Sequence, residues 1–179
     1  MYKKIFSFLI FLSLAAFLAL VQFSLISFLP WPWSNLDIIL IAIIFSCLMV
    51  SRDRVWFLAL AAGFFIDVFS FHPFGLSLLS LFLSAVIMYF VLENVLTNRS
   101  LYSFLLLSII GITAEAFIFN ILLVIFDWSG SSGRLFLFSA TFWESLAWSL
   151  ALGVFLVALF FNLLALASRR LQPFFLKGR

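Results

Sequence analysis

Residues 63–75 read GFFIDVFSFHPFG, and the rest of the chain is organised around this stretch. It places Asp67 inside an apolar helix, four residues after Gly63, and closes that helix with a short loop that ends in Pro73-Phe74-Gly75. A charged side chain at mid-membrane depth costs about 2.5 to 3.5 kcal/mol on insertion scales, so it normally faces the interior of a helix bundle. On a helix, Ala59, Gly63 and Asp67 share one face because they are four residues apart. The pattern predicts a face that a neighbouring backbone approaches closely.

The composition predicts an integral membrane protein. Of the 179 residues, 66% are hydrophobic and 9% are charged, which leaves almost no sequence for a water-soluble domain. The 27 Phe residues are spread along the chain and indicate packing rather than an aromatic binding site. The single cysteine, Cys47, excludes an intramolecular disulfide and gives no basis for a thiolate metal site. Nothing in the net charge of +3 supports nucleic-acid binding.

The apolar segments predict an all-α fold with one six-helix transmembrane domain over residues 1–179. The first apolar run is too long for the apolar region of a cleaved signal peptide, which has about 7 to 15 residues. The second is short, which predicts that it lies beneath a thinned or protein-covered part of the membrane. The predicted helices are residues 5–29, 35–50, 55–71, 74–92, 101–126 and 142–167.

Capping patterns mark the start of two of these helices. Ser34 stands three residues before Asp37, which predicts Ser34 as the N-cap of the second helix and Asp37 in its first turn. Thr141 and Glu144 have the spacing of a capping box for the sixth helix.

Small and polar residues recur at helical spacing on two further helices. Ser145, Ser149 and Gly153 repeat every four residues and predict a close-packing face on the sixth helix. Ser77 and Ser84 belong to a similar stripe on the fourth helix, where packing is favoured over a ligand role.

The basic residues predict the orientation. If both termini are cytoplasmic, nine basic residues lie inside and Arg134 alone lies outside, which is a strong positive-inside pattern. The nine are Lys3, Lys4, Arg52, Arg54, Arg99, Arg169, Arg170, Lys177 and Arg179.

Two acidic residues interrupt the predicted spans. Asp67 and Glu115 lie about 18 and 21 Å from the inner ends of their helices, near the level where Asp37 and Glu144 start theirs. No Lys or Arg lies at that depth, so these acids must be protonated, hydrogen-bonded, hydrated or paired with a group outside the chain. Three interpretations stay open: the acids tie helices together, they form an interface with a partner protein, or they line a path for a cation, a proton or a small ligand.

Catalysis has little support in the sequence. His72 is the only histidine and is predicted to lie on a short loop. There is no nucleophile elbow, no zinc-ligand spacing and no phosphate-binding glycine loop near a strand. We predict no catalytic residue, no cofactor and no metal site, and therefore no enzyme.

The chain resembles the MreD family of bacterial rod shape-determining membrane proteins. The resemblance lies in Asn35-Leu36-Asp37 after a proline-bearing turn, in residues 63–70, and in Pro73-Phe74-Gly75-Leu76. The family shows a glycine-rich helix ending in Gly-Leu-x-x-Asp, then a few loop residues and a Leu-Gly or Pro-x-Gly step into the next helix. Two departures are an alanine-rich segment, residues 58–62, where the family has an earlier glycine, and Phe64 in place of the usual leucine.

The resemblance implies a non-enzymatic, multi-pass component of the cell-elongation machinery in the bacterial cytoplasmic membrane. Such a protein docks the bitopic MreC and, through it, works with MreB, RodA and a penicillin-binding transpeptidase to organise lateral peptidoglycan synthesis and cell shape. The lipid bilayer is its other partner. The sequence leaves open which helices contact a partner and whether copies of the chain associate. The candidates for partner or helix packing are Asp37, Ala59, Gly63, Asp67, Pro73, Gly75, Glu115, Ser145, Ser149 and Gly153.

The resemblance also implies an alternative function. The family's fold is said to be similar to that of the substrate-binding subunits of energy-coupling-factor vitamin transporters, which have six helices around a central cavity. Acidic and aromatic residues near the predicted outer face favour such a small-molecule binder. They are Trp31, Trp33, Trp128, Trp143 and Glu144.

Overall fold

The computed structural model describes residues 2–26, 28–49, 51–70, 73–95, 101–126 and 139–175. Helix accounts for 89% of the structure, and the described residues contain no strand, which confirms the predicted all-α class. A π-helical turn, Gln22–Ile26, continues the first helix, and a 3-10 turn, Trp33–Asn35, precedes the second. The six α-helices are α1 (Tyr2–Val21), α2 (Ile38–Met49), α3 (Arg52–Phe69), α4 (Leu76–Asn94), α5 (Leu101–Phe126) and α6 (Ala140–Phe175).

Three helical segments are long and apolar enough to cross a membrane. They are Leu76–Asn94, Tyr102–Phe126 and Ala140–Leu163, and two shorter apolar segments, Ile10–Ser24 and Trp33–Cys47, accompany them. Large apolar side chains on the outer surfaces of these helices are exposed in the isolated chain. So much exposed apolar surface is what lipid, rather than water, accommodates.

The short helix α2 lies at the centre of the bundle. Its 12 residues extend about 18 Å, less than the thickness of a bilayer core. It packs against α1, α3, α4 and α5, and the side chains Ile39, Leu40, Ile43 and Ile44 are at most 1% exposed. The second helix is therefore short and covered by protein, as the length of its apolar run predicted.

The other five helices form an arc around α2. Helix α1 packs on α3, α3 on α4, α4 on α5, and α5 on α6. Helix α6 reaches back to the start of α2, where the Ser149 hydroxyl donates a hydrogen bond of 2.8 Å to the Asn35 carbonyl. The Phe45 and Phe160 rings, with centroids 6.0 Å apart, join α2 and α6 further along.

Helices α3 and α4 form an antiparallel hairpin that is tied together at the end away from its loop. Arg52, in the first turn of α3, pairs with Glu93 in the last turn of α4. The Arg52 guanidinium also lies 4.9 Å from the ring centroid of Tyr89 and 5.7 Å from that of Trp56. Exposed ion pairs contribute little stability, so this contact orients the hairpin more than it stabilises it.

Several predicted helix bounds are wrong by a few residues, and only α5 has the predicted range. The first helix leaves α-helical geometry after Val21, and the fourth begins at Leu76 and ends at Asn94. The charged segment 51–54 was predicted as a turn, but it contains the start of α3, because the Arg54 and Val55 amides already donate to the Ser51 carbonyl. Helix α6 continues to Phe175, past the basic pair predicted to follow it.

Both predicted N-caps are also displaced. Ser34 lies within the 3-10 turn, and Asp37 itself caps α2 because its Oδ1 accepts the Leu40 amide at 3.0 Å. The cap of α6 is Ser139 rather than Thr141, since the Ser139 Oγ accepts the Phe142 amide at 3.3 Å. In each case the capping oxygen belongs to the residue immediately before the first helical residue, from which it reaches the third amide of the helix.

Some sequence predictions lie outside the described residues. They concern His72, Trp128 and the basic residues Arg99, Arg134, Lys177 and Arg179.

The glycine in α3 makes close packing with α4 possible. A Cβ at Gly63 would lie 2.5 Å from the Leu78 Cα and 3.1 Å from the Ser77 carbonyl oxygen. Ala59, one turn earlier on the same face, is fully buried. The sequence prediction of a face approached by a neighbouring backbone is confirmed, and that backbone is the first turn of α4.

We expect Gly63→Ala to destabilise the protein by about 1 to 3 kcal/mol, because the new methyl group meets backbone that has to move. Gly111→Ala is the matched control, since a Cβ there meets the flexible Met88 side chain, which can rotate away. Thermal unfolding in detergent should show a lower Tm for the Gly63 variant and a Tm near that of the parent for the control. Equal losses at both positions would contradict this account of the α3–α4 contact.

Candidate functional site

Asp67, near the end of α3, caps the beginning of α4. Its Oδ2 accepts the amide hydrogens of Gly75 at 2.9 Å and Leu78 at 3.0 Å, and its Oδ1 accepts that of Ser77 at 2.9 Å. The first amides of a helix have no partner within the helix and carry its positive dipole end, so a carboxylate there is stabilised. Asp67 is 4% exposed, and these three bonds satisfy it in an apolar setting.

The turn before α4 brings those amides to the carboxylate. Gly75 has φ 96° and ψ −9°, a left-handed conformation that side chains other than glycine adopt only at a cost. The Leu76 amide donates to the Pro73 carbonyl at 3.3 Å, which closes the turn. A Cβ at Gly75 would meet no atom within 4 Å, so conformation rather than space requires the glycine. We call Gly63, Asp67 and Gly75 with these contacts the α4 clamp.

The contacts of the α4 clamp identify the groups that surround Asp67. Its carboxylate bonds to the backbone of its own chain, which matches the interpretation that this acid ties two helices together. The Gly63 surface beside it is covered by α4, and Ala59 on the same face is buried. A partner helix therefore has no access to this face in the folded chain.

Two polar cavities lie between the helices, and Asp37, Glu115 and Phe119 line both of them. The larger, of about 650 Å³, is bounded by residues of the π-helical turn, by Asp37 at the start of α2, and by residues of α3, α4 and α5. The smaller, of about 280 Å³, lies between α2, α5 and α6. The larger cavity is lined by Gln22, Phe23, Asp37, Ile66, Phe69, Ser70, Ser77, Leu81, Glu115 and Phe119.

The two acids on the cavity walls are held differently. Asp37 caps α2 through the Leu40 amide, whereas Glu115 lies near Ser80 of α4, whose hydroxyl donates to the Ser77 carbonyl at 3.1 Å. No Lys, Arg or His occurs among the described residues that line either cavity. The structure thus brings Asp37 and Glu115, far apart in sequence, to one acidic space without a basic partner from those walls.

Two of the three residues of the predicted close-packing face of α6, Ser149 and Gly153, contact neighbouring elements. Ser149 bonds to the Asn35 carbonyl, and a Cβ at Gly153 would lie 2.5 Å from the Ile112 Cδ1 of α5. The Ser145 hydroxyl instead donates to the Phe142 carbonyl in its own helix, and its side chain lines the smaller cavity.

The outer-face aromatic residues do not form a ligand site in the described part of the chain. Trp31, Trp33, Trp143 and the acidic Glu144 are exposed and line neither cavity. Trp31 packs instead against Trp148, with ring centroids 5.7 Å apart.

Sequence reasoning missed Gln22 as a site residue. Its amide nitrogen donates to the Leu36 carbonyl at 2.9 Å and its Oε1 accepts the Ile38 amide at 3.0 Å, so it fastens the end of α1 to the start of α2. Gln22 is the only residue with a side-chain amide in the first apolar run, and this isolation could have marked it as a site residue. Asn120, also on a cavity wall and not selected, is another lone amide in an apolar helix.

We expect Asp67→Asn to destabilise the protein by about 2 to 3 kcal/mol, because an amide offers one acceptor oxygen and turns an NH2 donor toward backbone donors. Asp53→Asn is the control, since Asp53 is an exposed acid in the first turn of α3, where the loss should be under about 1 kcal/mol. Hydrogen exchange should accelerate at the Gly75, Ser77 and Leu78 amides in the Asp67 variant alone. Unchanged protection of these amides would refute the clamp.

No family model, no curated protein and no solved structure matches this chain. The clamp, the cavities and the surfaces of the helices are therefore the observations from which a function is inferred.

Proposed function

We propose that this protein is a non-enzymatic membrane scaffold of the bacterial cell-elongation machinery, of the MreD type. The observation that carries the proposal is the α4 clamp. The residues of the resemblance, Gly63, Asp67, Pro73 and Gly75, form one structural unit in which each has a separate physical task. That gives a structural reason for the spacing of the family pattern in this chain.

The proposed setting is the cytoplasmic membrane, with several membrane passes and both termini inside. The distribution of basic residues supports this orientation, because nine of ten lie on one side of the predicted topology. The described connections are short, and those residues form no domain outside the helical bundle. A chain built in this way acts through contacts within the membrane.

The outer surface of α6 is where we place the docking of a partner's single membrane span. Ala147 and Ala151 are exposed, four residues apart, and flanked by the exposed Trp148 and Phe155. Small residues at this spacing let two helices approach closely in lipid. The neighbouring serine and glycine face of the same helix points inward, so the alanine face is the one available to a partner such as MreC. MreB, RodA and a penicillin-binding transpeptidase would associate through that partner.

We expect the double substitution Ala147→Leu and Ala151→Leu to reduce recovery of a bitopic partner about tenfold, because leucines hold the two helices apart. Leu83→Phe with Ile87→Phe is the control, an enlargement of exposed apolar residues on α4. The measurement is quantitative mass spectrometry of proteins recovered with the tagged chain in mild detergent, together with cell shape. The proposal requires rod-shaped cells to become round with the α6 variant only. Normal partner recovery and normal shape with the α6 variant would remove this docking surface.

The polar cavities favour a second candidate, a substrate-binding membrane subunit of a vitamin-type transporter. A cavity of about 650 Å³ falls in the size range of small-molecule sites. This candidate predicts a stoichiometric small molecule and an ATPase-linked membrane subunit in material purified from native membranes. Mass spectrometry that finds neither would count against it.

A further inference from the structure

We propose that the larger cavity, together with the smaller one that adjoins it at Asp37 and Glu115, binds a small organic ammonium ion with an apolar body. The inference does not depend on the scaffold role, and it deepens the second candidate by naming the chemical class of ligand.

The walls are acidic and lack a compensating base. Asp37 and Glu115 line both cavities, and the described lining residues include no Lys, Arg or His. One oxygen of Asp37 accepts the Leu40 amide, and Glu115 lies near Ser80, whose hydroxyl donates to the Ser77 carbonyl. Carboxylates at this depth are costly unless a positive charge or additional donors reach them, so a cation is the ligand charge that the site favours.

A buried hydroxyl on the wall provides an observation independent of the acids. Ser77 is 5% exposed and lines the larger cavity, and its backbone amide donates a hydrogen bond to Asp67 Oδ1. Within the described part of the chain its hydroxyl has no hydrogen-bond partner. A hydroxyl that faces a cavity without a protein partner is available to hydrogen-bond a ligand.

Asn120 places a second oxygen on the wall of the smaller cavity. It is 7% exposed, and its amide nitrogen donates to the Ala116 carbonyl at 2.7 Å. Its Oδ1 has no partner among the described residues. The available groups are therefore mainly acceptors, and an ammonium group supplies three N–H donors to such a set.

The remaining lining fits an organic ammonium better than a metal ion. Phe23 and Phe69 lie on the wall with ring centroids 5.8 Å apart, and Phe119 lines both spaces. Aromatic faces attract organic cations and cover apolar carbon. The described residues hold no group of three His, Cys, Asp or Glu side chains suited to a metal, and about 650 Å³ is far larger than a bare ion.

The test uses the purified full-length chain and three probes of similar size: 2-phenylethylammonium, 2-phenylethanol and 3-phenylpropanoate. We expect only the ammonium probe to raise the Tm, by about 5 °C at a hundredfold excess over its Kd. Equal stabilisation by the alcohol, or stabilisation by the carboxylate, would overturn the inference. Because this comparison uses the unaltered chain, it decides the question even if a variant fails to fold.

Variants then locate the bound probe. Glu115→Gln should weaken binding of 2-phenylethylammonium at least about tenfold, and Ser77→Ala about threefold, in calorimetric titration. Glu144→Gln is the control, because this acid is exposed and lines neither cavity, and its Kd should be unchanged. An unchanged Kd in a folded Glu115→Gln protein would place the probe elsewhere and refute the site.

The ammonium group could belong to a free amine or to the headgroup of phosphatidylethanolamine. Nanodiscs of phosphatidylglycerol, with and without phosphatidylethanolamine, separate these sources: competition by the lipid indicates the headgroup, and its absence indicates a free amine. The failure of this inference and that of the scaffold proposal are distinguishable. Probe binding should persist in the Ala147→Leu and Ala151→Leu protein whether or not the partner is lost.

Discussion

The structure depends first on one interaction, the acceptance by the Asp67 carboxylate of the Gly75 amide and of two amides in the first turn of α4. A membrane offers no water to the first turn of a helix, so these donors need a partner supplied by the protein. Asp67 provides it from the preceding helix, and Gly63 lets the two backbones come close enough. Helix α4 then packs against α5 and α2, so the position of the clamp affects most of the bundle.

The same physical constraint explains how polar groups are distributed through the rest of the chain. Gln22 satisfies backbone groups at the start of α2, Asp37 caps that helix, and Ser149 joins α6 to the Asn35 carbonyl. Each of these side chains serves a backbone group at or before a helix end. Glu115 differs, because it lies in the middle of α5 and lines both cavities. This difference separates polar residues that hold the fold together from those available to a ligand.

The proposed functions use different parts of the molecule. The α4 clamp and the close-packing face of α6 make contacts within the chain. Ala147 and Ala151 of α6 are exposed on the outer surface, where another membrane helix can contact them. The two cavities lie between the helices and are lined by Asp37 and Glu115, whereas Ala147 and Ala151 line neither of them. A scaffold that docks a partner on α6 and binds an ammonium ligand in its interior is therefore physically consistent, because neither site excludes the other.

The sequence by itself determined the helical class, the range of α5, the membrane character and the importance of residues 63–75. These follow from local properties: long apolar runs favour helices in lipid, and a glycine and an acid four residues apart share a helix face. It placed Asp37 near the start of the second helix but misassigned the caps of two helices, because the helix start depends on turns such as Trp33–Asn35 that hydropathy does not reveal. Only the tertiary structure decided that Asp67 bonds to α4, that Glu115 and Asp37 line one space, and that Ala147 and Ala151 face outward. Those outcomes depend on contacts between distant segments, and the rotation of each helix about its axis is set by its neighbours rather than by its own residues.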